Sequence, residues 1–306
     1  MPSLLDICIC TCKRPNQLRG ALQSLAVLQL PPDAAVTVTV VDNDPDGREG
    51  AQLVESLADR FPLPILCVLE ERRGIPYARN RCIREAQRKG ADYLVFIDDD
   101  EWVARDWLIR LFGYAQAIGG HSVVSGSVVR QLPDSVPEFY SGFFSRKRRE
   151  TGDRLNYCAT NNVLVPMQAI RALGLRFDER DPFGGGEDVL FFTEYSARGG
   201  EIVHCVEARV YEAVPECRAN MRWLSRRKYS AGITLAKQKR ASGRSRFSIL
   251  MSAVFQFLMA GVSCALGLVL GGRRLGSRPW LRLCRSVGMA CGVFGARSDF
   301  YRIVDC

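Results

Sequence analysis

Short aliphatic and β-branched runs alternate with longer stretches of helical periodicity over the first two hundred residues. Residues 4–10, 36–41, 65–69 and 93–97 read as strands, and each is followed by a segment whose apolar positions recur every three or four residues. Pro15-Asn16 opens the first of these, with Leu18, Ala21, Leu22 and Leu25 on one face. The spacing predicts further helices over 51–61, 76–89 and 105–118, then a strand at 122–131. Residues 132–156 lose periodicity and gain Pro, aromatic and basic residues, so a long connecting loop is expected there, used as a lid or for acceptor recognition. A strand at 163–165, helices at 167–173 and 187–197 and two short strands at 202–206 and 208–212 complete the pattern. Strands alternating with helices predict an α/β fold, its sheet mostly parallel and flanked by helices.

Composition adds a division. The chain has 306 residues, 47% hydrophobic and 25% charged, which suits a large buried core and excludes disorder as the main state. Its net charge of +9 is unevenly spread: from Cys217 to Ser298 there are sixteen Lys and Arg and no Asp or Glu, and the remainder has a net charge of −7. An acidic body of residues 1–217 therefore precedes a basic, apolar helical region of residues 218–306. Such a tail fits anionic lipid headgroups and the cytoplasmic membrane surface better than nucleic acid. Twelve cysteines without C-x-x-C pairs are expected to be reduced thiols, with Cys8, Cys10 and Cys12 on one strand face. MPSLLDICICTC has no basic stretch before its apolar run and carries Asp6 within it, so no signal peptide is expected and the body is placed in the cytoplasm.

A basic helix is expected over 223–240. Residues 247–270 then contain no formal charge, long enough to span a bilayer. Basic residues stand on both sides, Lys237 to Arg246 before and Arg273 to Arg285 after, whereas the positive-inside rule calls for asymmetry. A single span, an interfacial or re-entrant helix pair with 280–296 as second arm, and a buried helix of a soluble domain all remain open.

Polar groups follow three of the strands, and in open α/β sheets such ends line the ligand crevice. Asp98-Asp99-Asp100 places carboxylates in D-x-D spacing at a strand end, where they suit a divalent cation and a diphosphate, or equally a helix N-cap. Asp42, in VVDNDPDG, suits a ribose hydroxyl or a base N–H, or simply a turn. Glu187-Asp188 follow FGGG on the first turn of a helix, a place for a general base or for a cap. There is no G-x-x-x-x-G-K-[ST], G-x-G-x-x-G or H-E-x-x-H, and His121 and His204 lie near no nucleophile, which disfavours histidine-centred hydrolysis.

The order CTCKRP, VVDNDPDG, GIPYARNRCI, FIDDDEW, FGGGEDVLF and a Trp-Leu-x-Arg-Arg helix, over residues 4 to about 232, resembles family 2 glycosyltransferases with the GT-A (Rossmann-like) fold, above all those building bacterial exopolysaccharide or lipid-linked oligosaccharides. The resemblance implies that Thr11, Arg14 and Asp42 hold the nucleotide, with Arg79 and Asn80 bordering the same pocket. It implies Mg²⁺ or Mn²⁺ at Asp98 and Asp100, with Asp98 also near the ribose, and Asn162 near the donor sugar or acceptor. Asp188, beside Glu187, matches the catalytic base. The implied reaction is an inverting, metal-dependent transfer of a hexose-type sugar from a nucleotide-sugar donor to a glycan or polyprenyl-diphosphate-linked acceptor, at the cytoplasmic face of the inner membrane. Processive relatives carry Q-x-x-R-W; here Ala219 stands in place of the Gln before Arg222-Trp223, so transfer of one sugar is expected. Arg226 and Arg227 suit a phosphate or a solvated face, and Trp223 suits packing or stacking. Two other readings stand beside this one: a sugar-phosphate nucleotidyltransferase, whose Gly-rich loop CTCKRPNQ lacks, and a non-catalytic module binding membranes or nucleic acid.

Overall fold

The aliphatic runs form strands and the periodic stretches form helices, in a computed structural model that describes residues 2–145 and 148–300, without the side chains of 272–274. In chain order the elements are β1 (Ser3–Thr11), α1 (Pro15–Leu25), β2 (Ala34–Asp42), α2 (Glu49–Leu57), β3 (Ile65–Leu69), α3 (Ile75–Arg88), β4 (Tyr93–Asp98), β5 (Glu101–Val103), α4 (Trp107–Ala117) and β6 (Val123–Gln131). Then come α5 (Ser141–Phe144), β7 (Arg154–Leu155), β8 (Asn162–Pro166), α6 (Met167–Leu173), α7 (Glu187–Ala197), β9 (Ile202–Ala213), α8 (Met221–Ala241) and α9 (Arg246–Val293). The chain divides into two units. The first comprises Met1–Gln131, Arg146–Pro182 and Phe191–Ala213; the second comprises Leu132–Ser145, Phe183–Leu190 and Val214–Cys306.

Among the described residues nine strands form one sheet in the first unit, in the order β3-β2-β1-β4-β8-β6-β9-β5, with β7 also paired to β9. β1 to β4 are mutually parallel, β8 runs antiparallel to β4 and β6, and β9 runs parallel to β6. Side chains alternate across the sheet. Leu5, Ile7 and Ile9 of β1 enter a core with Leu18 and Leu22 of α1 and Trp107, Leu108 and Leu111 of α4. Cys8 enters another with Ala78 and Cys82 of α3, Phe177 and Phe192. Burial on both faces is why the β1 sequence is a continuous apolar run rather than an alternating one.

The exception within that run is Asp6, fully buried. Its carboxylate accepts from Lys89 Nζ at 2.7 Å, from Thr37 Oγ1 at 2.7 Å and from Thr39 Oγ1 at 2.8 Å. Removing one partner of such a buried pair strands the other, so Asp6→Ala is expected to cost about 3 kcal/mol, read as a lower urea midpoint at unchanged slope.

Three differences from the sequence expectations have local causes. Residues 101–103, given no element by the sequence pattern, form β5, paired with β9 and held by a stack of Trp102 on Tyr211 (5.9 Å between centroids). The two strands expected at 202–212 are one strand, β9. Its apparent break is a bulge, because Gly126 of β6 pairs with Cys205 and Ser127 with Arg209. The segment 132–156 is not a featureless loop: residues 138–140 form a 3₁₀ turn, α5 follows, and β7 joins the sheet, while 146–147 lie outside the described residues.

In the second unit, Phe144 of α5 packs with Val214, Ala219, Leu224 and Leu281 and stacks on Trp223 at 6.3 Å, so Trp223 is a packing residue. α9 is helical along its length yet doubles back. Cys264 Sγ lies 3.6 Å from the Gly276 carbonyl, and Arg285 Nη2 donates to Gln256 Oε1 at 3.3 Å. In a straight helix those residues would be about 18 and 43 Å apart. The chain therefore reverses near Gly271, and the apolar run lies beside a returning arm. α8 packs on its returning arm, where a Cβ at Gly288 would come within 2.0 Å of the Tyr229 carbonyl oxygen. Among the described residues ten cysteines are free thiols, as expected.

Candidate active site

The C-terminal ends of β1 and β4, adjacent and parallel, bring Thr11 and Arg14 against the acidic turn. Thr11 Oγ1 donates to Asp99 Oδ2 at 2.8 Å, and Arg14 Nη1 lies 3.3 Å from Asp99 Oδ1 and 3.5 Å from Asp100 Oδ2. From α3, Arg79 Nη2 stands 3.8 Å from Asp98 Oδ1. Asp99, the residue with no role assigned from the motif, is thus the buried anchor that holds Thr11 and Arg14. Asp98 is the open carboxylate, its side chain 42% exposed. Behind it, Glu101 accepts from the Asp98 N–H (3.2 Å) and from Asn161 Nδ2 (3.0 Å).

Crowding of acids in this turn raises their proton affinity. Although part of the Asp98 side chain meets solvent, desolvation by the surrounding turn, with Asp100, Asp99 and Glu212 adding and Arg79 opposing, pushes it up to about 7. Burial, with Asp100 adding and Arg14 and Thr11 opposing, pushes Asp99 up to about 6. Burial reinforced by Asp98 and Asp100 holds Glu101 well above the usual carboxylate range.

Three of the expected binding residues are hydrogen-bonded within the protein itself. Asp42 is fully buried, and its oxygens accept the Asp44 N–H (3.0 Å) and the Ala51 N–H (2.9 Å), so it shapes the turn into α2. Asn80 is buried: Nδ2 donates to the Phe177 carbonyl (2.9 Å) and Glu179 (2.9 Å), while Oδ1 accepts the Phe177 N–H (2.9 Å). It fastens residues 177–179 to α3. Asn162 is also buried, its amide bonded to Trp107 Nε1, the Ser127 carbonyl and the Ala208 carbonyl at 2.8 to 2.9 Å. Its donors are committed to the sheet, and the neighbouring Asn161 is the asparagine that reaches the acidic turn.

Sequence reasoning missed several groups beside these. Asn43 ties the ends of β2 and β3 together, donating to the Glu70 and Arg72 carbonyls (2.9 and 2.8 Å) and accepting from the Gly74 N–H (2.7 Å). Next to it, Asp44 Oδ1 and Arg73 Nε are buried with no hydrogen-bond partner among the described residues, though Lys13 Nζ lies 3.8 Å from the former. Buried polar atoms in that state have hydrogen-bonding capacity that water, an ion or a ligand can take up. The available signal was position: Asn43 and Asp44 stand one and two residues beyond the end of β2, and Arg73 lies in the short link between β3 and α3.

Glu187 and Asp188 belong to the second unit, on the first turn of α7. Glu187 is buried, and Asp188 Oδ1 accepts the Val189 N–H at 2.7 Å. The preceding glycine loop is clamped to α8: Ser230 and Thr234 donate to the carbonyls of Gly184 and Gly185 at 3.1 Å each. Gly186 has φ +84°, and a Cβ there would lie 2.2 Å from Thr234 Cγ2, so only glycine fits. Arg227 of α8 lies over the Phe300 ring at 5.4 Å.

The acidic turn fits a hard divalent cation. Its donors are oxygens: the carboxyls of Asp98, Asp99, Asp100, Glu101 and Glu212 gather there, with the guanidiniums of Arg14, Arg79 and Arg130 beside them. No group of three or more His, Cys, Asp or Glu forms a ready cage among the described residues, so a cation there would complete its shell with ligand oxygens and water.

Residues 6–174 match the profile of Glycosyl transferase family 2. The chain is 37% identical over 231 residues to succinoglycan biosynthesis protein ExoM of Rhizobium meliloti (strain 1021), an alignment covering 75% of this chain and 73% of that protein. Among solved structures it is similar to S. aureus TarS 1–349 in complex with UDP-GlcNAc, with a TM-score of 0.54 at 14% identity, covering 94% of this chain and 90% of that one. The complex of the same protein with UDP gives a TM-score of 0.54 at 15% identity, covering 94% and 89%. At those identities the likeness shows the fold, which is GT-A.

Proposed function

The chain belongs to glycosyl transferase family 2, and from that premise we propose that it transfers one sugar, with inversion, from a nucleotide-diphosphate sugar to a polyprenyl-diphosphate-linked glycan. The setting is assembly of a cell-surface polysaccharide at the cytoplasmic face of the inner membrane, in keeping with the succinoglycan role of its relative. The observation that carries this reading is the open Asp98 carboxylate beside Arg79, at the end of the β4 strand, with Arg14 and Thr11 anchored next to it by Asp99.

Thr11, Arg14 and Arg79 line the diphosphate, the two arginines offering planar donors suited to phosphate oxygens. Asp44 and Arg73, with unmet hydrogen-bonding capacity, receive the nucleoside. Mg²⁺ or Mn²⁺ would be held by Asp98 and Asp100 and, when bound, would offset the charge building on the departing diphosphate. Asp188 takes the proton from the acceptor hydroxyl as that oxygen attacks the anomeric carbon, and Glu187 steadies the same turn. The nucleophile is the acceptor's own, so no enzyme Ser or Cys enters the step.

Incubating the chain with a panel of nucleotide sugars, Mn²⁺ and an alkyl-diphosphate-linked glycan is expected to release nucleoside diphosphate from one donor only, and chelation is expected to stop it. Pyrophosphate released from a nucleoside triphosphate would replace this reading with sugar-phosphate activation.

A further inference from the structure

One segment among the described residues, Arg246–Gly271, is apolar and long enough to cross a bilayer, with mean hydropathy 2.1 and 17% of its most apolar window buried. Its inner face is accounted for: Ile249 and Ala253 are buried against Ala236 of α8 and Met289 and Val293 of the returning arm. Its outer face is not. Phe247, Phe255, Leu258, Val262, Leu266 and Val269 recur at three-, four- and eight-residue intervals and are 56% to 83% exposed. By helical geometry they fall within one face about 100° wide.

Where the charges stand decides how such a face is covered. Arg244 and Arg246 precede the arm, Arg273 and Arg274 occupy the reversal, and Arg278 and Arg282 follow on the returning arm, with no acidic residue among them. If the pair crossed the bilayer, Arg278, Arg282 and Arg285 would have to stand in hydrocarbon; if it dipped tip-first into one leaflet, Arg273 and Arg274 would reach the bilayer centre. Only a hairpin lying along the interface keeps both ends and the turn at headgroup level while its apolar stripe is buried. Trp280, 48% exposed with its Nε1 donating to Ser225 Oγ, has the amphipathic character of an interfacial anchor. The two basic flanks, anomalous for a single span, are what a segment entering and leaving on one side requires.

We propose that α9 is a monotopic membrane anchor, lying flat in one leaflet of an anionic bilayer with the Phe247-to-Val269 stripe among the acyl chains and the arginines on the headgroups. This rests on the membrane-surface part of the proposed function, but it is read by vesicle binding without donor turnover, so failure of either leaves the other standing.

The full chain is mixed with sealed vesicles of phosphatidylcholine containing phosphatidylglycerol and floated on a density gradient. It is expected to float with them, and to float about tenfold less on phosphatidylcholine alone or in high salt. The double variant Phe255→Asp/Leu258→Asp is expected to bind at least about tenfold more weakly, with an unchanged circular dichroism spectrum and thermal transition as the check that it folds. A variant that floats like the parent overturns the proposal. So does a parent that stays in solution as a dimer which the variant dissolves, since the stripe then covers a second copy. A site-specific protease sequence inserted between Gly271 and Gly272 should be cut from outside the vesicles equally with and without detergent. Protection until detergent is added would replace the flat arrangement with a spanning one.

Discussion

Replacing Asp188 with Asn is expected to lower turnover by about 10²- to 10⁴-fold, the usual worth of a positioned general base, while donor affinity stays within about twofold. Asn keeps the shape of the side chain and an oxygen for the Val189 N–H, so the first turn of α7 is undisturbed; what it loses is the ability to take a proton. Nucleoside diphosphate release measures the first quantity and calorimetric titration with the donor the second. Turnover within tenfold of the parent would move the base to another group. Equal loss of binding and turnover would mean that the glycine loop clamped by Ser230 and Thr234 had shifted rather than the chemistry.

Asp98→Asn is expected to reduce turnover by about 10³-fold and to abolish the response to metal, because an amide neither attracts a cation nor leaves Arg79 neutralised. The pH dependence follows from the raised proton affinities. Asp98 and Asp99 have an ordinary value of 3.8 and are held at about 7 and about 6 in the folded chain. The folded state therefore binds these protons more tightly than the unfolded one, so their contribution favours folding at low pH and is lost as pH rises through 6 and 7. A divalent cation needs the ionised carboxylates and competes with those protons. Mn²⁺ is thus expected to raise the melting temperature strongly at pH 8 and hardly at pH 5.5, with affinity gaining up to about tenfold per pH unit below 7 and levelling off above it. An Asp98→Asn chain that still shows the full Mn²⁺ shift at pH 8 would remove this residue from the metal site.

Much of this arrangement was legible because parallel strands buried on both faces leave long apolar runs with polar residues at their ends. The strand at 65–69, the buried face of α1 and the acidic turn after β4 follow from that alone. Side-chain direction was harder. In TNNVLV two asparagines stand side by side, and a strand turns successive residues to opposite faces; which one meets the acidic turn depends on the register with β4, where Ile97 pairs with Asn162. Asn80 sits on the buried face of α3, a fact set by the return of residues 177–179 nearly a hundred positions later. β5, three residues long and opening with Glu, has no local signature and exists through its pairing with β9. The fold-back of α9 was readable only as a possibility, since an apolar run looks the same straight or reversed.

The carboxylate at the centre of β1 bears on how the chain reaches this state. Its acceptors are filled by Thr37, Thr39 and Lys89, which leave the ribosome some thirty to eighty residues after it. Until then ICIC is an unpaired apolar strand of the kind that adds to other chains edge to edge, and the neighbouring charge makes such intermolecular pairing costly. On these contacts Asp6 has the properties of a gatekeeper whose charge is neutralised when α3 docks, and Asp6→Ala would then raise aggregation on refolding, read by light scattering.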